Sequence, residues 1–163
     1  DAPSTGHGIA LFVLPQTIMG AVKKGPLARD ARAIRSLLTD LSRTSFNVVV
    51  LPEELLFQET VELLEEKRES LGLPEGCVFV NQVWPESQIA PSIVKKMKGN
   101  PALEGAVDCL QYLEKRRKLQ ESYLEKIDQE VSLPSHEVPY VFSDTFGEDE
   151  VRHIARHLSS ALG

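Results

Sequence analysis

Cysteine is scarce: Cys77 and Cys109 are the two thiols of this 163-residue chain, and no CxxC occurs. That spacing excludes a disulfide framework and a self-sufficient zinc site, and it fits a reducing cytosol. Positive charge is also in deficit. With 18 Lys and Arg against 24 Asp and Glu the net charge is −6, the reverse of what a phosphate-backbone binder concentrates, so nucleic acid is excluded as a general partner. No apolar run is long enough to span a bilayer; the longest, Ile9 to Leu14, stops at Pro15. No basic-flanked amino-terminal signal is legible, and the expectation is a cytoplasmic protein. Internal repeats and low-complexity linkers are missing as well. At 42% hydrophobic residues the chain can bury one core, so residues 1–163 are expected to form a single domain.

What is present alternates between helical and strand patterns. Apolar residues dominate Ile9 to Val22, predicting one or two helical pieces around Pro15, and Gly25-Pro26 breaks them. Leu27, Ala31, Ile34, Leu37 and Leu38 predict an amphipathic helix over 26–38, with Arg29, Arg32 and Arg35 opposite. Phe46 to Leu51 and Cys77 to Val83 read as strands buried in a parallel sheet. Glu53 to Leu71 is a crossover helix stopped by Gly72 and Pro74. A short helix near 91–98 precedes a long one from about Leu103 to Val131, whose Leu119, Tyr123, Ile127 and Val131 form an i,i+4 stripe. Glu137 to Phe142 is a third extended segment, and Glu148 to Leu162 a closing helix. Short buried strands alternating with helices predict an α/β fold with a doubly wound, mostly parallel sheet. Three parallel strands leave an open edge of unpaired backbone groups. The expectation is therefore an incomplete sheet, completed by a longer polypeptide or covered by a partner.

Two clusters bear chemistry. Asp1-Ala2-Pro3-Ser4-Thr5-Gly6-His7-Gly8 is an acid leading into a turn-prone segment. Asn81 and Gln82 place two amides at the carboxyl end of a buried strand, where open α/β sheets bind ligands. Asp1 to His7 resembles the second switch motif of the arsenite-pump and tail-anchored-protein-targeting ATPases, the ArsA-like P-loop ATPases. Thr39-Asp40, Thr44, the strand at Phe46 to Leu51, Pro52-Glu53-Glu54 and Glu59-Thr60 resemble that family's next block, in the same order. Val78-Phe79-Val80-Asn81-Gln82 resembles its adenine-reading strand end, and Val138-Pro139 opens a segment similar to its last nucleotide-contacting loop. The resemblance covers roughly the whole chain, as the carboxy-terminal half of such an ATPase. The phosphate loop GxxxxGK[ST] occurs nowhere in these residues.

The resemblance implies ATP and Mg²⁺ as cofactors. Asp1 would hold Mg²⁺ through water, and Thr5, Gly6 and His7 would form the switch that moves when the γ-phosphate leaves. Asn81, with Gln82 beside it, would read adenine, since a carboxamide both donates and accepts along one base edge. Pro139 and Tyr140 would line the other side of the base. The family's members work as homodimers, some with a hydrophobic or membrane-protein client, which implies a cytoplasmic protein that can reach the inner face of a membrane through a partner. Ile9 to Val22, with Met19, is expected to be core, or by resemblance part of a client groove.

The cysteine pair that binds zinc between subunits in the targeting branch is absent after Asn81, and no arsenite-site cysteines are recognisable. Read without the resemblance, Asp1 or Ser4 would cap a helix and Asn81 would be a turn residue. The alternative function is a non-enzymatic interaction module that retains the fold. His136, His153 and His157 offer a weaker metal-binding reading, His153 and His157 at i,i+4 spacing beside Arg152 and Arg156. Lys115-Arg116-Arg117-Lys118, flanked by Glu114, Glu121 and Glu125, reads as a salt-bridged exposed face with no site.

Overall fold

The structure, a computed structural model, describes residues 5–66, 71–86 and 89–162, with the backbone only at residues 5–7, 66, 161 and 162. In chain order the elements are α1 (Thr5–Ala21), α2 (Pro26–Leu38), β1 (Phe46–Val50), α3 (Glu54–Glu66), β2 (Glu75–Val83), α4 (Pro91–Met97), a 3-10 turn at Pro101–Leu103, α5 (Glu104–Glu130), β3 (Ser135–Pro139) and α6 (Glu148–Leu162). The strands form one sheet in the order β1-β2-β3, and β2 pairs with β3 in parallel. Helices connect successive strands, as parallel pairing demands. This is the expected α/β fold with a small parallel sheet.

Two compact units divide the chain. One is built from residues up to Val48 and from Gln58–Cys77, the other from Val49–Phe57 and from Val78 onward.

In the first unit α1 and α2 pack together. Pro15 lies inside α1 and is buried, and Phe12 meets Phe46 edge-on at 5.9 Å. Leu11 and Leu14 are 57% and 50% exposed, so α1 is not the wholly buried segment its apolar sequence predicts. α2 starts where expected, with Pro26 at its first position after a left-handed Gly25. Of its expected apolar face Ala31 is buried, with Ala28 beside it, while Leu27, Ile34 and Leu37 are exposed, so small residues form the packed seam. Arg35, expected among the solvated arginines, is part-buried and donates to the Leu71 carbonyl. β2 begins against β1 at Gly76, where a Cβ would fall 2.6 Å from the Phe46 carbonyl oxygen and would also strike the Asn47 side chain. Only glycine permits that approach.

In the second unit Val50, Phe57, Val78, Val80, Val83, Val107, Ile127, Val131, Leu133 and Val138 are buried. The third strand lies earlier than Glu137 to Phe142. It spans Ser135–Pro139, and pairing already begins at Pro134, whose carbonyl accepts from Val78 N–H. Of the expected stripe on α5, Ile127 and Val131 are buried, but Leu119 is half exposed, and Val107 and Gln120 face inward as well.

Candidate functional site

Four of the residues singled out in the sequence come together in the second unit. β2 ends at Asn81-Gln82-Val83, and Val83 stands in register with Pro139, the last residue of β3. Tyr140 N–H then donates to the Val83 carbonyl at 2.8 Å. Asn81, Gln82, Pro139 and Tyr140 thus occupy the carboxyl ends of two neighbouring parallel strands, the edge where open α/β sheets hold ligands. The switch candidates belong to the first unit. Thr5, Gly6 and His7 form the first turn of α1, and Asp1 lies outside the described residues.

The strand end is irregular. Between Val80↔Glu137 and Val83↔Pro139, β2 advances three residues while β3 advances two, so one extra residue bulges from the ladder. The bulge falls on Asn81 and Gln82. Gln82 takes φ 58°, a left-handed conformation that costs a residue with a Cβ about 1 kcal/mol or more. Its N–H is satisfied by its neighbour, donating to Asn81 Oδ1 at 2.9 Å. That contact orients the Asn81 carboxamide. The oxygen keeps a second lone pair and the nitrogen keeps two donors, a donor–acceptor pair of the kind an adenine edge requires.

Two residues that sequence reasoning passed over hold this turn. Gln120 of α5 is only 5% exposed. Its Nε2 donates to the Gln82 carbonyl at 3.1 Å and its Oε1 accepts from Trp84 N–H at 2.8 Å. One turn earlier on α5, Arg117 donates from Nη1 to the Trp84 carbonyl at 3.0 Å and pairs with Glu121 at 3.1 Å and Glu137 at 3.6 Å. The basic run is thus not a uniformly solvated face. Arg117 is inward, and Arg116 lies 6.0 Å from the Trp84 ring centroid and 3.8 Å from Glu53.

Trp84 organises the aromatic side of the site. It stacks on Tyr140 at 5.2 Å and 25°, and meets Phe142 and Tyr112 edge-on at 5.6 and 6.3 Å. Phe142 remains 60% exposed beside a cavity of about 340 Å³ whose lining includes Trp84, Ile89, Leu113 and Arg117.

The loop after Phe142 is tied to α6. Glu150 accepts from the Ser143 hydroxyl at 2.8 Å and from Gly147 N–H at 2.8 Å, a carboxylate reaching back to the start of its own helix. The Ser143 hydrogen bond foremost, then that of Gly147, holds the Glu150 carboxyl below its ordinary value of 4.5. A depressed folded pKa stabilises above the unfolded value and is lost as pH falls through the folded one. An NMR titration is expected to place the Glu150 midpoint below 4.5, with amide exchange at the start of α6 quickening through that midpoint. In Ser143→Ala the midpoint moves back toward the ordinary value.

Among the described residues no three His, Cys, Asp or Glu side chains converge as a metal site, and no helix is long and apolar enough to cross a membrane. His157 instead has Nε2 3.0 Å from the Glu137 carbonyl, and His136 lies against the Phe79 ring. His136 and His157 are thus in structural contacts.

Fold and strand-end geometry define an open-sheet α/β protein in which β2 and β3 end side by side at the edge where such sheets bind ligands. The family is shown by comparison. A family model described as anion-transporting ATPase matches residues 26–160, and the chain belongs to that ArsA-type ATPase family. A putative arsenical pump-driving ATPase of Halobacterium salinarum is 24% identical over 171 aligned residues, covering 100% of this chain and 24% of that protein. The ATPase BagA of Mycobacterium tuberculosis is 32% identical over 108 residues, covering 66% of this chain and 29% of that protein. A putative ATPase of Mycobacterium bovis matches to the same extent. The chain spans about a quarter of the length of these curated relatives.

Proposed function

We propose that this chain is the carboxy-terminal, adenine-reading part of an ATP-hydrolysing ATPase. The observation that carries this reading is the juxtaposition of the Asn81-Gln82 bulge with Pro139-Tyr140 at adjacent parallel strand ends. Asn81 reads the base edge with its carboxamide, Gln82 sets the turn that presents it, and Pro139 and Tyr140 flank the base. Asp1 holds Mg²⁺ through water, and Thr5, Gly6 and His7 form the switch segment leading into α1. When bound, Mg²⁺ neutralises charge on the phosphates. Two such subunits close around nucleotide as a homodimer. The outward Leu11, Leu14, Leu27, Ile34 and Leu37 of α1 and α2 support a second subunit or a hydrophobic client over that surface. The reading places the protein in the cytoplasm, reaching a membrane through a partner.

Phosphoryl transfer depends on a backbone cradle, a lysine and a Mg²⁺-binding hydroxyl of the GxxxxGK[ST] type, which does not occur in these 163 residues. The purified 163-residue chain is therefore expected to turn over no ATP, while the full gene product does. Sustained phosphate release by the pure chain, surviving repeated chromatography, contradicts the division of labour proposed here.

A further inference from the structure

We infer that Gln120 is a positioning residue for base recognition, gripping the strand-end turn so that Asn81 is presented to nucleotide. This rests on the adenine reading of Asn81 given above. Gln82 is held at φ 58° with no glycine to accommodate it, so the turn persists only where its surroundings over-determine it. Two of its restraints are backbone or local, Gln82 N–H to Asn81 Oδ1 and Tyr140 N–H to the Val83 carbonyl, and Arg117 of α5 adds one side-chain bond from Nη1 to the Trp84 carbonyl. The remaining pair comes from one side chain. Gln120 donates to the carbonyl of the bulged Gln82 and accepts from Trp84 N–H, two residues further on.

A carboxamide is suited to this because it carries donor and acceptor at fixed separation. Both ends are used, and the residue is buried, so neither bond is traded for water without cost. The span Gln82 to Trp84 is therefore clamped to α5 as a unit. Asn81 is the residue immediately before the clamp, and its carboxamide is already bonded to the clamped residue's N–H. Loosening Gln120 frees Gln82 to leave the left-handed region, and the Asn81 carboxamide loses its orientation. Gln120 itself need not touch nucleotide.

The test measures the affinity of the full gene product for ATP and for inorganic tripolyphosphate, which has no base. Gln120→Met keeps length and removes both hydrogen bonds; Asn81→Ala is measured in parallel. The expected result is about tenfold weaker ATP binding in Gln120→Met, the loss of roughly one buried hydrogen bond. Tripolyphosphate binding is unchanged, which also certifies the fold. Should Gln120→Met fail to fold, Gln120→Leu likewise removes both hydrogen bonds without burying a charge, and the same selective loss is expected. Wild-type ATP affinity in a folded Gln120 variant overturns the inference, as does equal loss of ATP and tripolyphosphate. If Asn81→Ala alone shows the selective loss, Gln120 is merely structural and the adenine reading stands. If neither variant shows it, both fall.

Discussion

Replacing Trp84 with alanine is expected to lower the unfolding free energy by about 3 kcal/mol, in the range of large-to-small aromatic truncations. The ring stacks on Tyr140 and meets Phe142 and Tyr112 edge-on, so its removal leaves three aromatic neighbours without their common partner. Each such pair contributes about 0.5–1.5 kcal/mol beyond the area it buries. The ring is half-buried, which keeps the loss below that of a fully enclosed tryptophan. Tyr112→Ala, at a position 56% exposed and holding one of these contacts, is expected to cost about a third as much. Urea denaturation of both variants checks the order. A Trp84→Ala midpoint equal to that of the wild type would mean the aromatic cluster does not hold the strand ends together.

The second large effect concerns ligand rather than stability. Asn81→Ala is expected to weaken ATP binding by about 1–3 kcal/mol, the cost of leaving a buried base edge without its partners. Affinity for a nucleotide that lacks the adenine exocyclic amine is expected to fall less, because in the proposed contact that amine is the group the Asn81 oxygen would accept from. Calorimetric titration of the full gene product with ATP and ITP reads the difference. Unchanged affinity for both in a folded variant would favour the interaction module, with the strand end kept only as a structural turn.

Much of this was legible in the residues, and what was not has identifiable causes. α2 and α6 lie where Gly25-Pro26 and the Glu148 start place them, because capping and proline signals are local. The third strand was displaced because Pro134, which cannot donate to a ladder, still offers its carbonyl to Val78, and pairing starts there. On α5 the stripe meets the core at Ile127 and Val131, but Leu119 in it drew attention away from its buried neighbour Gln120. A buried glutamine whose two amide ends both meet backbone looks the same in sequence as a solvated one. Arg117 was hidden likewise, since its partners Trp84 and Glu137 are remote in the chain while its helical neighbour Glu121 suggests an exposed pair. Trp84 carried the one available signal: a lone tryptophan directly after the candidate strand end. Its partners Tyr112, Tyr140 and Phe142 follow no local period that would have gathered them.

The most direct test of the central claim is photo-labelling of the full gene product with 8-azido-ATP, followed by peptide mapping. The adenine reading predicts label, competed by ATP, on peptides containing Asn81 to Trp84 or Pro139 to Phe142. ATP-competed label confined to peptides that contain neither segment would contradict it.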